Sequence, residues 1–217
     1  MKLIEKVLDA IFPPDVTCLS CGREAVLNQT GLCRDCEVGV ERFVSAPIIE
    51  KTDGYTAVYI YNDVSGRMVK KLKYNNAKYI AKRLADQIEL PDEWKIDAVV
   101  PVPLHKRRVF KRGYNQSELI AKHLCRRTGI KLDTKLLKRT VDTKQQARLS
   151  LAGRMRNLKG AFKASPECAG KKLLLIDDVR TSGATIRECA SELKNAGCVK
   201  VYAATVCLVK EDKGGSV

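Results

Sequence analysis

The architecture follows from fourteen consecutive residues, Lys172-Leu173-Leu174-Leu175-Ile176-Asp177-Asp178-Val179-Arg180-Thr181-Ser182-Gly183-Ala184-Thr185. The apolar run from Leu173 to Ile176 is typical of a strand that is covered on both faces in a parallel sheet. From Ile186 onward, apolar residues recur at helical spacing, and Gly197 is suited to end that helix. We therefore predict a strand, a tight turn and a helix in immediate succession, with Asp177 at the carboxyl end of the strand.

The predicted turn has the chemistry of an anion site. It lies at a helix N-terminus, where backbone N–H groups and the positive end of the helix dipole face a bound anion. Thr181, Ser182 and Thr185 add hydroxyl donors, and Gly183 lets the backbone approach a phosphate closely. The adjacent acids suit ribose hydroxyls or a hydrated Mg²⁺. The alternative is an ordinary turn in which the acids only cap the helix.

This stretch resembles the signature of the type I phosphoribosyltransferases, an acidic pair followed by a Thr-Ser/Gly-Gly-x-Thr loop. Those proteins bind 5-phosphoribosyl-1-pyrophosphate (PRPP) together with Mg²⁺. The resemblance implies that Asp177 and Asp178 hold the ribose hydroxyls of PRPP. It also implies that the 5′-phosphate lies against the loop residues Thr181, Ser182, Gly183, Ala184 and Thr185.

The composition limits the classes of function. A chain of 217 residues can form one full domain and one small one. No apolar stretch approaches the roughly 20 residues of a membrane span, and charges near the N-terminus argue against a signal peptide, so we expect a cytoplasmic protein. The net charge of +15 favours polyanionic partners. The basic clusters at 106–112 and 148–163 also fit a solvated surface without a specific role.

The cysteine pattern near the N-terminus predicts a metal site. Two CxxC pairs, Cys18 with Cys21 and Cys33 with Cys36, are separated by eleven residues. Four thiolates complete a closed tetrahedron, which favours a structural Zn²⁺ ribbon over a redox pair, the alternative for an isolated CxxC. An amphipathic helix ending at Pro13-Pro14 precedes the ribbon. We predict that residues 1–50 form this helix and zinc ribbon and that residues 51–217 form the main domain.

The rest of the chain alternates between strand and helix patterns. Strands are predicted over Tyr55–Tyr61, Asp97–Pro103, Ile130–Leu132 and Val199–Val209. Helices are predicted around Ile80–Ile88 and after Asn115, which with Glu118 forms a capping box. This alternation predicts an α/β fold, a doubly wound parallel sheet with ligands at the carboxyl ends of its strands.

Two basic segments match mobile parts of the phosphoribosyltransferases. The loop after the second predicted strand corresponds to the pyrophosphate loop of that family, carried here by Val102, Pro103, Leu104, Arg108 and Arg112. His105 in the same loop fits a surface residue better than a catalytic one. The polar segment between Thr140 and Phe162 resembles the flexible hood that closes over PRPP, with Arg148, Arg154 and Arg156 directed at pyrophosphate. An exposed helical hairpin is the alternative for that segment.

Taken together, the motifs resemble the ComF (ComFC) family of competence proteins. The similarity includes the four-cysteine ribbon, the Val-Pro-Val-Pro-Leu strand end, the string Arg112-Gly113-Tyr114-Asn115-Gln116, and the acidic-pair signature. The resemblance implies handling of single-stranded DNA in the cytosol during natural transformation. It implies no particular reaction with similar strength.

Three functions follow from these patterns. The first is a factor that binds single-stranded DNA and retains a PRPP site. The small aromatic content of 6% argues against extensive base stacking in that factor. The second is an active phosphoribosyltransferase that moves phosphoribose from PRPP to a nitrogenous base, although no base pocket is recognisable. The third is a ribbon that docks a DNA-uptake helicase.

Overall fold

The computed structural model describes residues 16–74, 77–141, 158 and 160–210. Seven strands are present in these ranges: β1 Gly54–Ile60, β2 Ala98–Pro101, β3 Lys131–Leu132, β4 Leu137–Arg139, β5 Phe162–Ala164, β6 Lys172–Arg180 and β7 Lys200–Leu208. Five of them form an all-parallel sheet in the order β1-β7-β6-β2-β3, and β4 pairs with β5 in a small antiparallel ladder. The predicted parallel sheet is confirmed.

The helices lie on both faces of this sheet. Their bounds are α1 Arg34–Gly39, α2 Asp63–Tyr74, α3 Ile80–Asp86, α4 Lys106–Arg112, α5 Gln116–Thr128 and α6 Ala184–Asn195, with a 3₁₀ turn at Pro166–Cys168. Leu174 and Ile176 of β6 pack with α2, α3 and α5 on one face. Leu173 and Leu175 pack with α6 on the other. Because both faces of the strand are buried, apolar residues are favoured at successive positions. Each buried leucine contributes about 2 kcal/mol to stability.

The central strand is longer than the sequence predicts. β2 ends at Pro101, opposite Ile176, whereas β6 continues beside β7 to Arg180. Asp177 and Asp178 therefore lie within β6, just past the end of its neighbour. The chain runs outward from β2 to β3 and from β6 to β7 in the opposite direction, so the crevice between β2 and β6 is the topological switch point where α/β sheets bind ligands.

Two helices differ from what the sequence predicted. The segment after β2, predicted as a loop, is the helix α4, whose N-cap His105 accepts a hydrogen bond from the backbone N–H of Arg107 and whose end is Gly113. The helix α2 was not predicted at all. The Asn62 side chain starts it by accepting hydrogen bonds from the backbone N–H groups of Val64 and Ser65, at 3.0 and 3.1 Å.

The four-cysteine ribbon packs directly on the main core. Leu19 and Leu32 are buried in the same apolar cluster as Met68 and Leu72 of α2. The hydroxyl of Ser20 donates to the backbone carbonyl of Val64 at 2.9 Å. The predicted helix before the ribbon lies outside the described residues, and the domain division at residue 50 stays a prediction.

An aromatic pair lies where β7 begins, at the opposite end of the sheet from the carboxyl ends of β2 and β6. The Trp94 ring lies parallel to that of Tyr202, with centroids 4.5 Å apart. β1 begins beside it at Gly54, where a Cβ would lie 2.5 Å from the Trp94 ring. Only glycine fits this close approach. Within the described ranges, no helix combines the length and hydropathy that a bilayer crossing requires.

Candidate functional site

The two acids of β6 have different partners. Asp177 Oδ1 accepts hydrogen bonds from the Ser117 hydroxyl at 2.8 Å and from the backbone N–H of Asp178 at 2.9 Å. Asp178 is buried, and its Oδ2 lies 2.8 Å from the Nζ of Lys73 on α2. One acid is thus held by a hydroxyl at the start of α5, and the other by a buried ion pair.

This environment shifts the pKa values of Asp177 and Lys73. Burial, and then repulsion from Asp178, raise the pKa of Asp177 to about 7, despite the opposing hydrogen bond from Ser117. Burial acts to lower the pKa of Lys73, but the Asp178 carboxylate outweighs it and the net shift is upward. Lys73 therefore stays charged, whereas Asp177 titrates near neutrality.

The turn after β6 has the form expected of an anion site. Gly183, with φ of 73°, is the N-cap of α6, and no side chain caps that helix. The alternative in which the acids cap the helix is therefore wrong. A left-handed residue at this position favours glycine, and a Cβ added there would lie 3.4 Å from the Ile49 side chain. The first turn of α6 faces the crevice between β2 and β6.

A cavity of about 530 Å³ opens at this crevice. It brings together most of the predicted site residues, namely Asp177, Asp178, Thr181, Gly183, Ala184 and Thr185 with Val102, Leu104, Arg108 and Arg112. Two predicted residues, Ser182 and Pro103, do not line it. The volume lies within the range of about 300–1,000 Å³ typical of small-ligand sites.

The string from Arg112 to Gln116 holds the cavity wall in place. The Asn115 amide donates to the Val102 carbonyl at 3.0 Å, and its oxygen accepts from the Ser117 backbone N–H. The Tyr114 hydroxyl donates to a backbone carbonyl at the end of α2, and the Arg112 guanidinium donates to the Gln116 side chain. These contacts connect the end of β2 with α4 and α5. The segment from Arg112 to Gln116 therefore fixes the position of the cavity wall that these elements form. His105 is the half-buried N-cap of α4, and whether it has a catalytic role stays a prediction.

Several cavity residues were not predicted from the sequence. Lys70, Lys73 and Tyr74 all come from α2, and Arg139 comes from β4. The apolar spacing Val64, Met68, Val69 and Leu72 after Asn62 was the available signal for α2. Nothing in the sequence paired Lys73 with Asp178, which lies 105 residues further along the chain.

The predicted hood begins and ends on the small ladder. Arg139 of β4 pairs with Phe162 of β5, and its guanidinium lies 5.3 Å from the Phe162 ring centroid. The hood residues Arg148, Arg154 and Arg156 lie outside the described residues.

The four ribbon cysteines form a cluster suited to one metal ion. The sulfurs of Cys18, Cys21, Cys33 and Cys36 all lie within 4.8 Å of one another. Burial acts to raise the pKa of Cys18, but backbone N–H groups, that of Cys33 first, lower it overall. The Arg23 backbone N–H is the main cause that lowers the pKa of Cys21 to about 6. Such N–H donors stabilise thiolates, the form in which cysteine binds metals.

Comparison with known proteins identifies the family. Residues 69–216 match the family described as "Phosphoribosyl transferase domain". DNA utilization protein YhgH of Salmonella typhimurium is 30% identical over 209 residues, covering 88% of this chain and 89% of the relative. Competence protein F of Haemophilus influenzae is 26% identical, covering 85% and 93%. Competence protein ComFC of Bacillus subtilis is 27% identical, covering 83% and 72%. The chain therefore belongs to the phosphoribosyl transferase domain family and, within it, to the ComF family of competence proteins.

Proposed function

We propose that this cytoplasmic protein binds PRPP with Mg²⁺ in the cavity between β2 and β6, and that it handles single-stranded DNA during natural transformation. One observation carries the PRPP site: the acid pair, the turn after β6 and cations from α2 and α4 all line one cavity. The DNA role is supported by the net charge of +15 and by relatives named for competence and DNA utilization.

The proposed roles follow the placement of each group. Asp177 and Asp178 hold the ribose hydroxyls, and the turn residues that line the cavity, Thr181, Gly183, Ala184 and Thr185, hold the 5′-phosphate at the start of α6. Arg108 and Arg112 attract the pyrophosphate. The carboxylate oxygens are hard ligands of the kind Mg²⁺ prefers, and the ion neutralises charge on the pyrophosphate when bound. The hood arginines 148, 154 and 156 complete the site in this proposal.

We assign structural Zn²⁺ to the four-cysteine cluster. Four sulfur ligands within one coordination sphere match the closed tetrahedral sites of zinc ribbons and leave no open position for chemistry. A docking role of the ribbon toward a DNA-uptake helicase stays a prediction.

Calorimetric titration tests both halves of the function. PRPP should bind when Mg²⁺ is present and much more weakly when it is removed. A single-stranded oligonucleotide should bind with an affinity that falls by at least about tenfold between about 50 and 200 mM salt, because several phosphates are neutralised. If PRPP does not bind with Mg²⁺, the site assignment is wrong. If oligonucleotide affinity hardly changes with salt, the DNA role is wrong.

PRPP affinity should depend on pH through Asp177. With a pKa of about 7 in the folded protein, the carboxylate is mostly protonated at pH 6 and mostly ionised at pH 8. Affinity for PRPP with Mg²⁺ should therefore rise by up to about tenfold across this interval, because the ionised form is the stronger acceptor for the ribose hydroxyls. The Asp177→Asn variant, measured in parallel, removes this contribution and leaves that of the PRPP phosphates. Identical slopes in the two proteins would contradict the assignment.

Phosphoribosyl transfer is the second candidate function. The side chains of Val69 and Val209 give the cavity an apolar wall beside the acid pair, which suits the face of a nitrogenous base. Transfer would break the bond between C1′ and the pyrophosphate oxygen, form a bond from C1′ to the base nitrogen, and release pyrophosphate together with the proton that this nitrogen loses. We expect pyrophosphate release when PRPP, Mg²⁺ and an acceptor base are supplied together. No release with any of the common purine and pyrimidine bases would leave a binding function alone.

A further inference from the structure

The exposed face of α2 carries a stripe of cations that ends in an aromatic ring. Arg67, Lys70, Lys71 and Tyr74 have the spacing i, i+3, i+4, i+7, which places them on one helix face. We call these four residues the α2 stripe. They line a shallow groove of about 290 Å³, and among the described residues no acid lines it. Tyr74 is 66% exposed, so much of this residue is accessible to a ligand.

The groove is continuous with the phosphoribosyl cavity. Lys70 and Tyr74 line both, and the Arg112 guanidinium lies 5.4 Å from the Tyr74 ring centroid. The cavity therefore opens directly onto the aromatic end of the stripe.

The other end of the stripe reaches the cysteine ribbon. Arg67 Nε donates to the Ser20 hydroxyl at 3.1 Å, and Lys71 Nζ lies against Gly22. From Arg67 to Tyr74 the helix rises about 10 Å. The basic surface thus forms one path between the metal ribbon and the cavity.

We infer that the α2 stripe is a binding track for single-stranded nucleic acid that leads from the ribbon to the phosphoribosyl cavity. This inference rests on the proposed DNA role and names the residues that perform it. Backbone phosphates would lie against Arg67, Lys70 and Lys71, while one base stacks on Tyr74. Single-strand sites combine a basic groove with exposed aromatic rings in this way.

The aromatic ring favours a single strand over a duplex or an acidic peptide. A base in a duplex has both faces stacked, so it cannot cover the Tyr74 ring without being extruded. An acidic peptide would use the cations but gain nothing from a flat, exposed ring. The fold itself does not need that ring outside, because Met68 and Leu72 already bury the opposite face of α2.

A matched pair of charge reversals tests the track. The variant R67E/K71E reverses two cations of the stripe that line the groove but not the cavity. The control K122E/R126E makes the same change in net charge, also at positions i and i+4, on exposed residues of α5. Binding of a fluorescein-labelled oligodeoxythymidine is followed by anisotropy.

We expect R67E/K71E to lose at least about tenfold more affinity than the control, with a shallower dependence on salt, because about two phosphate contacts disappear. PRPP affinity should be the same in both variants. If R67E/K71E unfolds, as judged by circular dichroism, the neutral pair R67Q/K71Q against K122Q/R126Q replaces it.

The ring is tested separately. Y74A should weaken oligonucleotide binding by at least about fivefold, since stacking on one ring contributes about 1–3 kcal/mol. Y74F keeps the ring and should bind within about twofold of the unaltered protein. Equal losses in Y74A and Y74F would overturn the stacking contact.

The outcomes separate the track from the function it rests on. If the unaltered protein binds no oligonucleotide, the DNA role and the track both fail. If it binds, but R67E/K71E matches its control, the track is wrong and the DNA role stands. An oligoglutamate peptide that competes as well as an oligonucleotide of equal charge would also overturn the track, because the groove would then bind any polyanion.

Discussion

The Asp177→Asn variant should lose PRPP binding and become more stable at the same time. Asn cannot supply the charged acceptor that the ribose hydroxyls need, and a hydrogen bond to a charged group contributes about 1.5–3 kcal/mol, so affinity should fall by about 10- to 100-fold. Yet the folded protein disfavours the ionised acid, since burial and Asp178 raise the pKa of Asp177 to about 7. Asn keeps the oxygen that accepts from Ser117 without carrying that charge.

The stability gain has a defined pH window. Asp177 is raised above its unfolded pKa of about 3.9, so its favourable contribution is complete below that value and is lost as pH rises to about 7. The variant should therefore match the unaltered protein near pH 4 and exceed it by at least about 1 kcal/mol in free energy of unfolding at pH 8. Denaturant titrations at both pH values measure this. A variant that is less stable at pH 8 would contradict the pKa assignment.

Asp178 provides the contrasting control. Asp178→Asn leaves the charge of Lys73 without its ion-pair partner in a largely buried position, so it should cost about 3 kcal/mol of stability. Adding Lys73→Met removes the orphaned charge and should restore most of the loss. If Asp177→Asn raises the free energy of unfolding and Asp178→Asn lowers it, the two neighbouring acids have different roles in folding. A stable Asp178→Asn variant would contradict the buried ion pair.

If the four-cysteine cluster holds Zn²⁺ as proposed, removing the ion should destabilise the main core and not only the ribbon. Leu19, Leu32 and Cys36 belong to the same buried cluster as the side chains of α2 and α3. Structural zinc contributes on the order of 10 kcal/mol to small metal domains. The ribbon shares its core with the main domain, so the loss of even half of this free energy should destabilise both. At about 2–4 °C per kcal/mol for a chain of this size, the melting temperature should fall by at least about 10 °C.

The measurement is a melting curve with and without a strong chelator, accompanied by metal analysis of the purified protein. Cys33→Ala should reproduce the effect of chelation. Cys125→Ala is the matched control, because this buried cysteine lies in α5, away from the cluster, and should change the melting temperature far less. Two separate transitions, with the main one unshifted, would show that the ribbon folds independently of the core.

Local sequence patterns predicted much of the fold, and they predicted that the acid pair and the turn after β6 lie together at the sheet edge. The apolar run before Asp177 predicted β6, and Asn115 predicted the start of α5, because strand burial and helix capping act over a few residues. The turn after β6 was predicted for the same reason. The helix α4 was mistaken for a loop because its cations hide the apolar spacing on which helix prediction depends.

The partners of the two acids come from distant segments of the chain. Lys73 meets Asp178 only because α2 packs across β6, and Ser117 meets Asp177 only because α5 begins beside the end of β2. The sharing of one core by ribbon and domain is likewise a property of packing. Such contacts leave no fixed spacing in the sequence, so composition and periodicity cannot predict them.

The stacked pair of Trp94 and Tyr202 has a practical consequence. Trp94 is the only tryptophan in the chain, and it lies where β7 begins, at the opposite end of the sheet from the acids of β6. Its ring packs between Gly54 and Tyr202. Selectively excited Trp94 fluorescence should therefore report unfolding of the sheet and change little when a ligand binds at the opposite end, so it can distinguish unfolding from loss of binding.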